Sequence, residues 1–150
     1  LTPTSRGTVH VRSPRFEDAP AIAPNYLSTD EDRQVAADSL RVTRRILQQP
    51  AMAKYQPEEF KPGPQYQTDE ELVRLAGDIA STIFHPVGTT RMGASASDSV
   101  TDSFGRTWDV DNLVVADGSL FPTSLGANPQ ESIYALVRRS MSELAPSLRG

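Results

Sequence analysis

The first alternation of apolar and polar positions is Thr8-Val9-His10-Val11-Arg12, opened by Arg6-Gly7 and closed by Ser13-Pro14, and it predicts a short strand. The following stretch from Ala19 to Asn25 contains Pro20 and Pro24 and predicts extended surface chain. Val35, Leu40, Ile46 and Leu47, with Ala36 between them, recur at helical spacing and predict a helix from about Ser28–Asp30 to near Pro50. Its start offers a capping side chain and places Glu31-Asp32 at the positive end of the helix dipole. Residues 51 to 67 carry Pro57, Pro62, Gly63 and Pro64 and read as a linker or a wrapped surface loop. Thr68-Asp69-Glu70-Glu71 has the form of a capping box. Leu72, Leu75, Ala76, Ile79 and Ile83 then predict a helix to about Thr82, broken by His85-Pro86.

The second half is patterned differently. Residues 86 to 107 are small, polar and rich in Gly, Ser, Thr and Asp, a long loop of the sort that is functional or mobile in compact domains. Leu113-Val114-Val115-Ala116 is a near-continuous apolar run and predicts a strand buried on both faces, ending in the turn Asp117-Gly118-Ser119. A last helix is predicted from Asn128-Pro129, with Ile133, Leu136, Val137 and Met141 as its apolar stripe. No internal repeat or low-complexity tract interrupts this order.

Composition qualifies the picture. Leu, Ile, Val and Phe make up 33 of the 150 residues, a lean supply for a self-sufficient core, so part of the core is expected from elsewhere. A formal charge of −4 argues against a nucleic-acid backbone as the main partner. No apolar stretch approaches the roughly 18 residues of a membrane span. The absence of cysteine excludes disulfides, zinc–thiolate sites and thiol catalysis, and suits a soluble protein of cytoplasm or periplasm alike. The opening Leu-Thr-Pro-Thr-Ser-Arg-Gly, without an initiator Met or signal-peptide pattern, leads us to expect further chain upstream.

Few residues could carry chemistry. His10 reads as a surface residue of an edge strand. His85 follows an amphipathic helix, where an imidazole serves either as a C-terminal dipole partner or as a proton acceptor titrating near neutral pH. Gly88 and Gly93 have the spacing of a phosphate loop, but Ala94-Ser95 stand where its Lys and Ser/Thr are required, so that reading fails. No Gly-x-Gly-x-x-Gly occurs, so any nucleotide cofactor must have its main phosphate site outside this chain. Asp98, Asp102, Asp109 and Asp111 lack the glycine and terminal Glu of a calcium loop and read as a solvated polar loop, so no metal site is expected. Arg138-Arg139 reads as an exposed helical face. Asp117-Gly118 lies at the carboxyl end of the apolar run, where open α/β sheets bind ligands, although a plain turn explains it equally well. Asn128 reads as the N-cap of the last helix.

Taken together, His85-Pro86-Val87-Gly88-Thr89, Arg91-Met92-Gly93, Val110-Asp111-Asn112-Leu113, Ala116-Asp117-Gly118-Ser119, Pro122 and Asn128-Pro129 form an ordered pattern. It closely resembles the C-terminal region of the glucose–methanol–choline (GMC) oxidoreductases, flavoproteins that oxidise alcohols. Ser5-Arg6-Gly7-Thr8-Val9 and Pro24-Asn25-Tyr26-Leu27 look like that family's entry into the substrate domain.

The resemblance implies a mixed α/β fragment, the C-terminal part of a two-domain flavoprotein. Residues 1–83 would belong to the substrate-binding domain, as strand and helices. Residues 84–150 would return to the FAD-binding domain through a strand–turn–helix and carry the active site. FAD would sit mainly on an N-terminal fold of the same protein, the chain's principal partner, and a small alcohol, polyol or sugar-type molecule would be the substrate. By position His85 matches the family's catalytic histidine and Asn128 its hydrogen-bonding partner. Asp117, Gly118, Asn128, Pro129 and Gln130 match segments that touch the cofactor. Thr107-Trp108-Asp109-Val110 departs from the Val-x-Gly turn of many members and looks closer to the polyol, sugar-acid and general alcohol dehydrogenase branches than to a choline-type site. Glu131-Ser132 likewise replaces the Thr or small polar residues more usual after Asn-Pro. The electron acceptor (oxygen, quinone or cytochrome) is left open by these residues. A catalytically silent fragment or assembly module, needing the missing FAD fold, is the alternative reading of the isolated chain.

Overall fold

The computed structural model describes residues 2–148, which divide into two compact units, Pro3–Ser81 and the chain from Thr82 onward. In the first unit β1 (Thr8–His10) pairs antiparallel with β2 (Ala21–Ala23), with Val9 opposite Ile22. The alternation up to Arg12 therefore yields a shorter strand than predicted, and the proline-flanked segment read as plain surface chain supplies its partner. Three residues between prolines have little strand propensity of their own; pairing with β1 decides the matter.

Helix α1 (Asp30–Leu47) starts where Thr29 accepts the Asp32 amide on its side chain, with three acidic residues in its first turn. Asp32 also accepts the amides of Thr4 at 2.9 Å and Ser5 at 2.8 Å, which ties the entering chain to the helix. Hydrogen bonding, from the Ser5 side chain foremost and then from the Thr4 amide, holds the Asp32 carboxyl far below the usual aspartate range. Helix α2 (Asp69–Ile79) has the predicted capping box in full: the Glu71 amide donates to Thr68, and the Thr68 amide donates to Glu71. Ala37 on α1 and Leu72 and Ala76 on α2 are the buried apolar residues where the two helices pack. Helix α2 stops at Ile79 instead of Thr82. The β-branched residues Thr82 and Ile83 extend a helix poorly, and Phe84 takes a left-handed φ of 60°.

The proline-rich stretch between the helices is wrapped and clamped. It forms a 3-10 turn at Pro50–Tyr55 and then folds over the end of α1. Arg44 grips Glu59 through two hydrogen bonds of 2.9 and 2.8 Å and also donates to the carbonyls of Tyr66 and Gly63. Both side chains are largely buried, and the paired guanidinium holds the Glu59 carboxyl below the usual glutamate range. Arg41 adds an ion pair to Asp69 at the start of α2.

The second unit is built on α3 (Gln130–Leu144), which continues into a 3-10 turn at Ala145–Leu148. Leu120, Phe121, Thr101, Gly105, Ser140 and Leu144 are its buried residues among those described. The predicted stripe of Ile133, Leu136, Val137 and Met141 is half-buried. Leu113-Val114-Val115-Ala116 is not the doubly buried strand its composition predicts. Leu113 is 48% and Val114 37% exposed, and the run makes one isolated bridge, Arg106 to Val114. A strand needs consecutive ladder partners, and among the described residues only the 105–107 edge reaches it, so its apolar faces stay uncovered.

Candidate active site

The long polar loop is not slack. Two of its segments close on each other: residues 86–92, which carry His85 at their head, and the turn at 117–121. Asp117 nucleates that turn by accepting the Ser119 amide at 2.7 Å on its own carboxylate, an Asx turn that leads into a 3-10 turn at Gly118–Leu120. The Thr90 amide donates to the Ser119 carbonyl at 3.2 Å, and the Met92 amide donates to the Leu120 carbonyl at 2.8 Å. Side chains reinforce this seam, with the hydroxyls of Thr90 and Ser119 at 2.5 Å and Ser119 Oγ at 2.5 Å from Asp117 Oδ1. A second layer follows. Arg91 O accepts the Val100 amide at 3.0 Å, the Gly93 amide donates to Thr101 O at 3.0 Å, and the Val115 amide donates to Gly105 O at 2.8 Å.

At one end of the seam Gly118 meets both other parts of the predicted site. A Cβ at Gly118 would lie 3.2 Å from Ile133 Cδ1 in the first turns of α3 and 3.8 Å from the carbonyl oxygen of Pro86. His85-Pro86, the Asp117-Gly118 turn and the start of α3 thus share one place. His85 is half-buried and Asn128 is exposed, and neither side chain has a hydrogen-bond partner among the described residues. The structure does not link the two to each other by a hydrogen bond. Asn128 is not the helix cap predicted for it. Pro129 occupies the N-cap position without a side-chain hydrogen bond, because its fixed φ of −83° and ψ of −11° carry the chain straight into the helix. The first amides of α3 are consequently open to an acceptor from outside. Gln130 donates from its side-chain amide to the Tyr134 hydroxyl at 2.6 Å, along the helix.

Sequence reasoning overlooked three residues here. Arg139, read as exposed helix face, donates to the Ser103 carbonyl at 2.8 Å and lies 4.3 Å from the centre of the Phe104 ring, fastening α3 to the loop. Thr90 and Ser119 form the side-chain part of the seam. Asp-x-Ser is an Asx-turn signature that flags Ser119 locally, whereas nothing local flags Thr90, which lies 29 residues away. Two aspartates of the loop brace turns: Asp102 accepts the amides of Phe104 and Arg106, and Asp98 accepts the Ser95 hydroxyl. No group of three or more His, Cys, Asp or Glu among the described residues could hold a metal.

The arrangement suits a flat, electron-accepting ring. Gly118 lets the turn pack closely against Ile133 of α3, Asp117 keeps one carboxylate oxygen free of hydrogen bonds among the described residues, and the uncapped start of α3 favours negative charge at a ring edge.

Comparison with known proteins shows the family. The C-terminal family model described as GMC oxidoreductase matches residues 3–136. The oxygen-dependent choline dehydrogenase of Citrobacter koseri is 44% identical over 124 residues, 83% of this chain and 22% of that protein. The chain therefore spans about a fifth of the length of such curated relatives. Among solved structures, pyridoxine 4-oxidase from Mesorbium loti superposes with a TM-score of 0.85 at 29% identity, over 95% of this chain and 28% of the other. An FAD-dependent oxidoreductase from Chaetomium thermophilum superposes with a TM-score of 0.89 at 31% identity, over 99% and 26% respectively.

Proposed function

Because this chain belongs to the GMC oxidoreductase family, we propose that it is the C-terminal part of an FAD-dependent enzyme that oxidises the CH–OH group of a small alcohol. The observation that carries the reading is the convergence of the His85-Pro86 segment, the Asp117-Gly118 turn and the start of α3. Bound FAD would supply the acceptor for the hydride that leaves the alcohol carbon.

The chain's own residues would do the rest. His85, whose imidazole has no protein partner among the described residues, would take the hydroxyl proton as that hydride leaves, a role worth about 10²–10⁴ in rate. The Asn128 amide, equally unpartnered, would hydrogen-bond the same oxygen and hold the carbinol in a reactive pose. Asp117, Gly118, Pro129 and Gln130 would hold the cofactor's ring and its neighbouring hydroxyls. The main phosphate site would come from residues outside this chain, which has no Gly-x-Gly-x-x-Gly. In this reading the unit at Pro3–Ser81 is the substrate side and the unit from Thr82 the flavin side. The 44% identity to a choline dehydrogenase makes choline the first alcohol to try, ahead of polyols and sugars.

The test is anaerobic reduction of the flavin by the alcohol in the complete protein, followed by stopped-flow absorbance. His85→Ala is expected to slow reduction by at least about tenfold. Reduction at the wild-type rate would remove His85 from the chemistry.

A further inference from the structure

The seam contains a hydrogen-bond chain with a fixed direction. Ser119 Oγ carries one proton, and its 2.5 Å contact with Asp117 Oδ1 commits that proton, since an ionised carboxylate only accepts. Toward Thr90, at 2.5 Å, Ser119 can then only accept, so Thr90 Oγ1 donates. The Asp117 oxygen that receives Ser119 Oγ also receives the Ser119 amide at 2.7 Å, which leaves the other carboxylate oxygen outward and free among the described residues. Each hydroxyl uses its single proton once; the Thr90–Ser119 contact is part-buried, which limits competition from water there, while the Ser119–Asp117 contact is exposed. The backbone bonds of the seam fix the distance between its two sides, and no other side-chain path among the described residues joins the 86–92 segment to the Asp117 carboxylate.

We infer that Thr90 and Ser119 are positioning residues that act as one unit, setting the orientation of the Asp117 carboxylate toward the cofactor from the segment that carries His85. This rests on the assignment of Asp117 to the cofactor proposed above. Ser119 is the obligatory link, because it touches both neighbours, whereas Thr90 acts only through it.

That order makes the inference testable by a double-mutant cycle in the complete flavoprotein, with two readouts: the FAD dissociation constant, and the anaerobic rate of flavin reduction by choline. Ser119→Ala is expected to weaken FAD binding about tenfold, the loss of one hydrogen bond to a charged group. Thr90→Val is expected to weaken it by a smaller factor, and Thr90→Ser to restore it to within about twofold of wild type. The double variant is expected to match Ser119→Ala alone, because Thr90 has no route to Asp117 once Ser119 is gone. Additive losses would overturn the relay, as would a Thr90→Ser variant no better than Thr90→Val or unchanged FAD affinity in Ser119→Ala. His85→Ala, measured alongside, separates the two levels. If it leaves flavin reduction unchanged, the proposed chemistry fails, while the cycle in FAD affinity still decides the relay.

Discussion

Gly105 is where the backbone geometry of the second unit is least forgiving. Its φ of 87° lies in the left-handed region, and a Cβ built there would sit 2.2 Å from the carbonyl oxygen of Val115 and 3.5 Å from Leu120 Cδ1. Gly105→Ala therefore meets three costs. Left-handed backbone costs an L-residue about 1–2 kcal/mol. The overlap is with main chain, so the 113–116 segment must move and give up the 2.8 Å bond from the Val115 amide to Gly105 O, about 1 kcal/mol more. Displacing that segment also presses on the fully buried Leu120, where misfit costs about 1–3 kcal/mol. The sum is about 3–6 kcal/mol, a large fraction of an ordinary domain's stability. Gly126 separates the terms. Its φ is 67°, but nothing lies within 4 Å of its would-be Cβ, so Gly126→Ala should cost only the conformational part, about 1–2 kcal/mol. Urea unfolding of the two variants and the wild type, followed by far-UV circular dichroism, reads both. Equal losses at the two glycines, or a Gly105→Ala midpoint indistinguishable from wild type, would refute the steric argument.

Two further outcomes follow from the same packing. Glu59→Gln breaks the charge-assisted grip of Arg44 and should cost about 1.5–3 kcal/mol at neutral pH. Because the folded-state value of Glu59 is lowered, its contribution is complete above the ordinary glutamate value near 4.5 and is lost as pH falls through the folded-state value, so the variant should flatten the acid limb of a Tm-against-pH profile, and an unchanged limb would count against the clamp. Ser140 is fully buried and its hydroxyl has no partner among the described residues, so Ser140→Ala should raise stability by about 1 kcal/mol, or about 2–4 °C in a thermal melt; a fall of that size would show that the hydroxyl is satisfied in solution.

The elements written locally were legible. The capping box at Thr68–Glu71 and the acidic first turn of α1 are decided within a few residues, and the structure has both. Where partners are remote, pattern failed. Ala21–Ala23 becomes a strand only because residues 8–10 lie beside it. The apolar run at 113–116 signals burial against neighbours that the described residues do not supply, so the signal was read as a strand this chain does not form alone. At the candidate site, His85 and Gly118 stand out in the sequence because they lie in the segments that carry the resemblance. Thr90 and Arg139 do not, since hydrogen bonds spanning 29 and 36 residues leave no local trace.

The seam between residues 86–92 and 117–121 has a bearing on how such a site can diversify. It closes an excursion of the chain at its base, and one tip of that excursion, residues 94–98, is exposed and held by a short serine–aspartate turn. Lengthening a closed loop is thermodynamically mild, about 0.6 kcal/mol for each doubling. New sequence can be inserted at that tip while the base keeps its register. The segment that carries His85 and this exposed tip are in this sense separately evolvable parts of one continuous stretch of chain.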